Sequence, residues 1–89
     1  MYRVRFTEDA KKQFVILTKH APQAVKKLEK IIEELREHPR TGTGQVEQLR
    51  HYKEETWSRR LTREHRIVYR IYDDVVEVLV LSVYGHYDF

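Results

Sequence analysis

Apolar and polar residues alternate through residues 2–6, Tyr-Arg-Val-Arg-Phe, a period of two that predicts a short strand with one buried face. The period then lengthens to that of a helix. Thr7 supplies an N-cap, Glu8 and Asp9 put negative charge in the first turn, and Ala10, Phe14 and Leu17 recur on one face as far as His20. Pro22 suits the first turn of a second helix, with Val25, Leu28, Ile32 and Leu35 as its apolar stripe and Lys26, Lys27, Glu33 and Arg36 facing away. The two helices make a hairpin. His38 precedes Pro39 and is pushed toward extended backbone, so the helix ends there and Pro39-Arg40-Thr41-Gly42-Thr43-Gly44 reads as a flexible loop.

Beyond that loop the apolar period is again two, with strands expected over residues 46–49, 56–61, 66–72 and 75–84. Asp73-Asp74 suits a tight hairpin turn and residues 62–65 a similar reversal, so the last strands form a meander. The final strand is apolar in both parities, with Val76, Val78 and Val80 on one face and Val75, Leu79 and Leu81 on the other. A strand of that kind belongs in the middle of a sheet. The expected class is α+β: a small, mainly antiparallel sheet with two N-terminal helices on one face.

The 89 residues fit one domain spanning 1–89, and 35% charged residues against 40% hydrophobic ones leave a densely charged surface around a small core. The formal charge is only +3, but Arg59, Arg60, Arg63, Arg66 and Arg70 fall within one short stretch that also reads as strand. Such a stripe favours a polyanionic partner. The absence of cysteine excludes disulfides and thiolate chemistry. No signal-peptide pattern opens the chain and no apolar run reaches the roughly 20 residues of a membrane span, so a cytoplasmic protein without membrane contact is expected.

Parity places Ile67, Tyr69 and Ile71 on one face of the 66–72 strand and Arg66, Val68 and Arg70 on the other, with Arg60 joining the arginines from the neighbouring strand. Guanidinium groups gathered against their own repulsion point to a bound phosphate. His86 and Tyr87 add a proton donor and a stacking ring, and Glu47, after the glycine-rich loop, adds a carboxylate at the mouth of the same sheet. His20, His38, His51 and His65 have no such surroundings and read as surface or loop residues. The Gly42-Thr43-Gly44 loop lacks the context and the lysine of a nucleotide-binding loop. No His, Cys and acidic residues stand at metal-ligand spacing, so neither metal nor cofactor is expected. Phosphoryl chemistry without a metal has a known solution in RNA, where the ribose 2'-hydroxyl is the nucleophile and the protein supplies a base, an acid and positive charge.

Four motifs then carry a resemblance. Gly42-Thr43-Gly44-Gln45-Val46-Glu47-Gln48-Leu49-Arg50-His51, Trp57-Ser58-Arg59-Arg60-Leu61-Thr62, Glu64-His65-Arg66-Ile67-Val68-Tyr69 and Tyr84-Gly85-His86-Tyr87 stand in an order that resembles the YoeB (Txe) branch of the RelE-like toxins of bacterial toxin-antitoxin modules. The resemblance implies a microbial-ribonuclease-like (RelE-like) fold and a ribosome-dependent endoribonuclease that cleaves mRNA in the ribosomal A site and so inhibits translation. It implies Glu47 as general base, His86 as general acid, Arg66 as transition-state clamp and Tyr87 as a substrate-positioning ring. Arg50, His51 and Arg60 match supporting groups at phosphate or rRNA, and Arg59, in the same basic tract, is expected to bind phosphate or RNA with them. Implied partners are the ribosome with its mRNA, a YefM/Axe-like antitoxin and a second copy of the chain in a homodimer. The sequence departs from the family pattern with Val46 for proline, Arg50 for lysine, and an Asp88-Phe89 extension. A reading of another class on the same scaffold is a non-nuclease ParE-like toxin that binds DNA gyrase. Such a protein has no need of the loop glutamate or the His-Tyr pair.

Overall fold

The computed structural model describes residues 1–85, and the elements follow in the expected order. They are β1 (Arg3–Phe6), α1 (Glu8–His20), α2 (Pro22–Glu37), β2 (Glu47–Leu49), β3 (Thr56–Arg60), β4 (Arg66–Tyr72) and β5 (Glu77–Ser82). Thr7 makes the change from strand to helix: its backbone is extended and its hydroxyl accepts the Ala10 N–H at 3.0 Å, satisfying a donor that the first helical turn leaves open. Pro22 opens α2 where its missing N–H costs nothing.

The strands form one sheet in the order β1-β5-β4-β3-β2. β1 pairs with β5 in parallel, and the other three junctions are antiparallel. Both helices lie on one face. Ile67, Tyr69 and Ile71 of β4 and Val78 and Val80 of β5 meet Ala10, Leu17, Ala24, Leu28, Ile31 and Leu35 in the core. On α2 the buried line is Ala24, Leu28, Ile31 and Leu35, and the expected Val25 and Ile32 flank it half-buried. The cause is spacing. Steps of four, three and four residues keep a straight stripe on an α-helix, and the residue one place on is turned about 100° away from it.

Five strand limits differ from expectation; two of them are the start of β1, at Arg3 rather than Tyr2, and the end of β5, at Ser82 rather than Tyr84. β2 begins at Glu47 rather than Val46, and β3 stops at Arg60 rather than Leu61. β5 begins at Glu77 rather than Val75, because Tyr72 pairs with Glu77 and residues 73–76 form a four-residue turn in place of a tight one at Asp73-Asp74. Val75 and Val76 are therefore exposed, and Val76 holds φ at +52°, a left-handed conformation in which a β-branched side chain is strained. Interior placement of β5 does hold, since it lies between β1 and β4. Val76→Asn should relieve the strain and raise stability by about 1 kcal/mol. Chemical denaturation would read this as a higher midpoint with an unchanged slope, and an unchanged or lower midpoint would show that the turn stores no strain.

Candidate active site

Alternation along β3 divides one tract between two faces. Trp57 packs on the helix-side core, and Arg59 on the same parity is fully buried. Thr56, Ser58 and Arg60 have the opposite parity. Across the sheet, Glu47 of β2 pairs with Ser58, Ser58 pairs with Val68 of β4, and Arg60 pairs with Arg66. A carboxylate, a hydroxyl and two guanidinium groups thus come from three strands to one face, the one away from the helices.

Arg66 joins these groups. Its Nη1 donates to Ser58 Oγ at 3.0 Å and lies 4.0 Å from Glu47 Oε1. The pair is asymmetric: the Arg66 side chain is 19% exposed and that of Glu47 is 63% exposed. A half-buried cation is held in place by a buried hydroxyl, while the carboxylate beside it stays open to an incoming group. Among the described residues Arg60 Nε is buried without a hydrogen-bond partner. Two directly opposed guanidinium groups, one with an unsatisfied donor, make a place where an anion gains more than water does. Arg70, farther along the same face, is compensated: it lies 3.3 Å from Glu54, donates to Thr56 Oγ1 at 3.4 Å, and stacks 5.7 Å over the Tyr52 ring. Among the described residues the one buried side-chain donor left without a partner is thus at Arg60, next to Arg66.

Residues 6–87 match the family model of the YoeB-like toxin of bacterial type II toxin-antitoxin systems. The chain belongs to that family. Toxin YoeB of Escherichia coli O6:H1 is 43% identical over 63 residues, which cover 71% of this chain and 73% of that protein. Among solved structures, the YoeB/ParE toxin from Agrobacterium tumefaciens superposes with a TM-score of 0.85 at 27% identity, over 96% of this chain and 99% of that one. The YoeB dimer from Staphylococcus aureus gives 0.80 at 25% identity, over 97% and 98%. A heterotetrameric YoeB-YefM toxin-antitoxin complex from the same organism shares the fold. The α+β, RelE-like architecture expected from the motifs is therefore the observed one.

Within this YoeB-like chain the expected site residues meet different ends. Glu47, Arg60 and Arg66 come together as described. Arg50 and His51 are exposed on the turn that leaves β2, three and four residues beyond Glu47, where the His51 ring lies 4.6 Å from that of Tyr52. His86, Tyr87 and the Asp88-Phe89 extension lie outside the described residues.

Arg59 is a correction. Expected at the phosphate, it lies on the helix side with no exposed surface. Its guanidinium donates to Glu34 Oε1 at 2.6 Å, to the Thr41, His38 and Thr43 carbonyls at 2.8, 3.3 and 3.4 Å, and to the Tyr69 hydroxyl at 3.0 Å. Parity explains the difference, since Arg59 stands between Trp57 and Leu61 on the core face. The Gly42-Thr43-Gly44 segment, expected to be loose, is tied down by the same group: Glu34 accepts the Thr43 N–H at 2.8 Å and its hydroxyl at 2.7 Å.

His65, expected as a surface or loop residue, does lie in the loop before β4 but is buried there. Its Nδ1 accepts the Gly85 N–H at 2.9 Å, and its ring stacks 4.4 Å from Tyr84. The Gly85 carbonyl accepts the Arg66 N–H at 3.0 Å. Gly85 is thereby held by both residues of the His65-Arg66 pair. The sequence signal was the His-Arg step at the start of a buried strand, where one side chain has to point to each face.

Burial by itself would raise the Glu34 carboxyl, but the Thr43 amide and hydroxyl and the Arg59 guanidinium outweigh it and hold the group below the usual carboxylate range. Glu55 is lowered chiefly by its hydrogen bonds from Arg40, at 2.7 and 2.9 Å. A carboxyl whose folded pKa lies below its unfolded value of about 4.3 contributes stability that is complete above that value and is lost as pH falls through the folded one. Stability should therefore fall below about pH 4–5. Glu34→Gln should be less stable at pH 7 but lose less on acidification, as read by denaturation midpoints at pH 7 and pH 3. Equal losses in the two proteins would show that Glu34 is not one of the groups responsible.

Proposed function

We propose that this YoeB-like chain is an endoribonuclease that cleaves mRNA in the ribosomal A site by attack of the ribose 2'-hydroxyl, and so inhibits translation. The observation that carries the reading is the approach of the exposed Glu47 carboxylate to Arg66, beside an Arg60 whose Nε has no hydrogen-bond partner among the described residues. Glu47 removes the proton from the 2'-hydroxyl. The freed oxygen attacks the adjacent phosphorus, and the bond from phosphorus to the 5'-oxygen breaks. His86 gives a proton to that departing oxygen. Arg66, aided by Arg60, neutralises the charge that grows on the nonbridging oxygens, and Tyr87 stacks on the substrate base. The products are a 2',3'-cyclic phosphate and a 5'-hydroxyl, and no metal takes part.

Several features support these roles. An exposed carboxylate is accessible to substrate, whereas the neighbouring guanidinium is fixed by Ser58. His86 follows directly on Gly85, whose carbonyl is hydrogen-bonded to the Arg66 amide. Arg50 and His51, exposed on the turn that leaves β2, are supporting groups for phosphate or rRNA. A target on the ribosome places the protein in the cytoplasm. By similarity to the Staphylococcus aureus proteins, the chain pairs with a second copy and is silenced by a YefM-like antitoxin. An acidic antitoxin segment would meet Arg60 and Arg66 directly.

Purified protein added to ribosomes carrying mRNA should cut within the A-site codon. Glu47→Ala or His86→Ala should slow single-turnover cleavage by about 10²–10⁴-fold. Arg66→Ala should slow it by about 10²–10³-fold. Unchanged rates would remove the roles assigned, and accumulation of DNA gyrase cleavage complexes without mRNA cuts would favour the ParE-like reading.

A further inference from the structure

The buried Arg59 lies one residue from Ser58 and from Arg60, both on the proposed catalytic face. Neighbouring side chains on a strand point to opposite faces, so β3 presents Ser58 and Arg60 forward while Arg59 reaches back. What it reaches is the chain segment that leads into Glu47. Arg59 Nη2 donates to the carbonyls of Thr41 and His38, and Nη1 donates to that of Thr43 and to Glu34. Glu34, on α2, takes both the amide and the hydroxyl of Thr43. The Tyr69 hydroxyl, which accepts from Arg59 Nε, donates to the Pro39 carbonyl at 2.8 Å. The loop is thus held at residues 38, 39, 41 and 43, and the Gly44 carbonyl is taken by the Arg60 amide. Gly42 runs so close to the pair that a Cβ there would strike Glu34 Oε1 and Arg59 Nη1. Only Gln45 and Val46 then separate the last held residue from Glu47.

We infer that the Arg59-Glu34-Thr43 clamp is a positioning device for Glu47, setting where the proton-accepting carboxylate stands relative to Arg66. The inference rests on the reading of Glu47 as the general base and goes beyond it in assigning its placement to residues on the far side of the sheet. The chemistry is suited to the task. β2 is a three-residue edge strand paired on one side only, which by itself fixes little. The Glu47-Arg66 contact, at 4.0 Å, is too long and too exposed to hold the carboxylate. A fully buried guanidinium that fills its donors with loop carbonyls and a carboxylate has essentially one geometry, and it passes that geometry to the loop. Misplacing a reacting group by about 1 Å can cost about 10²-fold in rate.

The test is a double-mutant cycle between the clamp and the base, read as single-turnover mRNA cleavage on ribosomes, with ribosome affinity measured alongside. Glu34→Gln keeps the shape of the side chain but removes the charge. It should slow cleavage by about ten-fold or more while leaving ribosome affinity within about two-fold. In a Glu47→Gln background the same change should have no further effect. Thr43→Val, in a half-buried loop position, should show the same non-additivity and serves if Glu34→Gln does not fold. An equal rate loss from the clamp variant in both backgrounds overturns the inference, as does a folded clamp variant that cleaves at the unsubstituted rate. Those two results leave the base assignment standing. Full activity of Glu47→Gln alone removes the base assignment and this inference together.

Discussion

Burying a guanidinium without partners costs several kcal/mol, so the sheet can close over Arg59 only if α2 brings a carboxylate and the loop before β2 brings carbonyl oxygens to meet it. Glu34 and the carbonyls of His38, Thr41 and Thr43 do so, and Tyr69 completes the set from the neighbouring strand. One side chain therefore ties the second helix and the glycine-rich loop to two neighbouring strands, β3 and β4. The value of such an ion pair lies less in net stability than in specificity of arrangement. A hydrophobic replacement of similar shape can be as stable, but it would leave the loop free to take other paths.

That specificity matters because the opposite face of the same strands holds the proposed catalytic groups. Glu47, Ser58, Arg60 and Arg66 meet within two strand pairings, and their arrangement is electrostatically unbalanced by design of the register. Arg60 directly faces Arg66, and Glu47 sits beside Ser58 at the open edge. Arg70, by contrast, has Glu54 and the Tyr52 ring close by. The unbalanced end suits a phosphodiester, whose charge rises during cleavage, better than a neutral ligand. Membership of the YoeB-like toxins places the chain in a family of bacterial type II toxin-antitoxin systems.

Local signals made the element order legible in the sequence. Thr7 with Glu8 and Asp9, Pro22, and the His38-Pro39 step each mark a boundary through backbone chemistry confined to a few residues. The parity of residues 66–72 likewise placed Arg66 and Arg70 on the face opposite Tyr69. Arg59 and His65 were harder, because each depends on a partner far along the chain: Glu34 on α2 for the first, and Gly85 for the second. A charged residue counted as part of a basic stripe looks exposed until its parity is set beside Trp57 and Leu61. The start of β5 was misread for a related reason. Val75 and Val76 are apolar, but the register of Tyr72 with Glu77 leaves them in a turn, and register is a property of two strands rather than one.

The central claim is that the carboxylate beside Arg66 works on a ribose 2'-hydroxyl next to the scissile phosphate. The most direct measurement is cleavage of a ribosome-bound mRNA in which a single A-site nucleotide, on the 5' side of the cut, carries 2'-hydrogen in place of 2'-hydroxyl. The account predicts that cutting at that linkage stops while binding persists. Cleavage there at the rate of the unmodified message would contradict it.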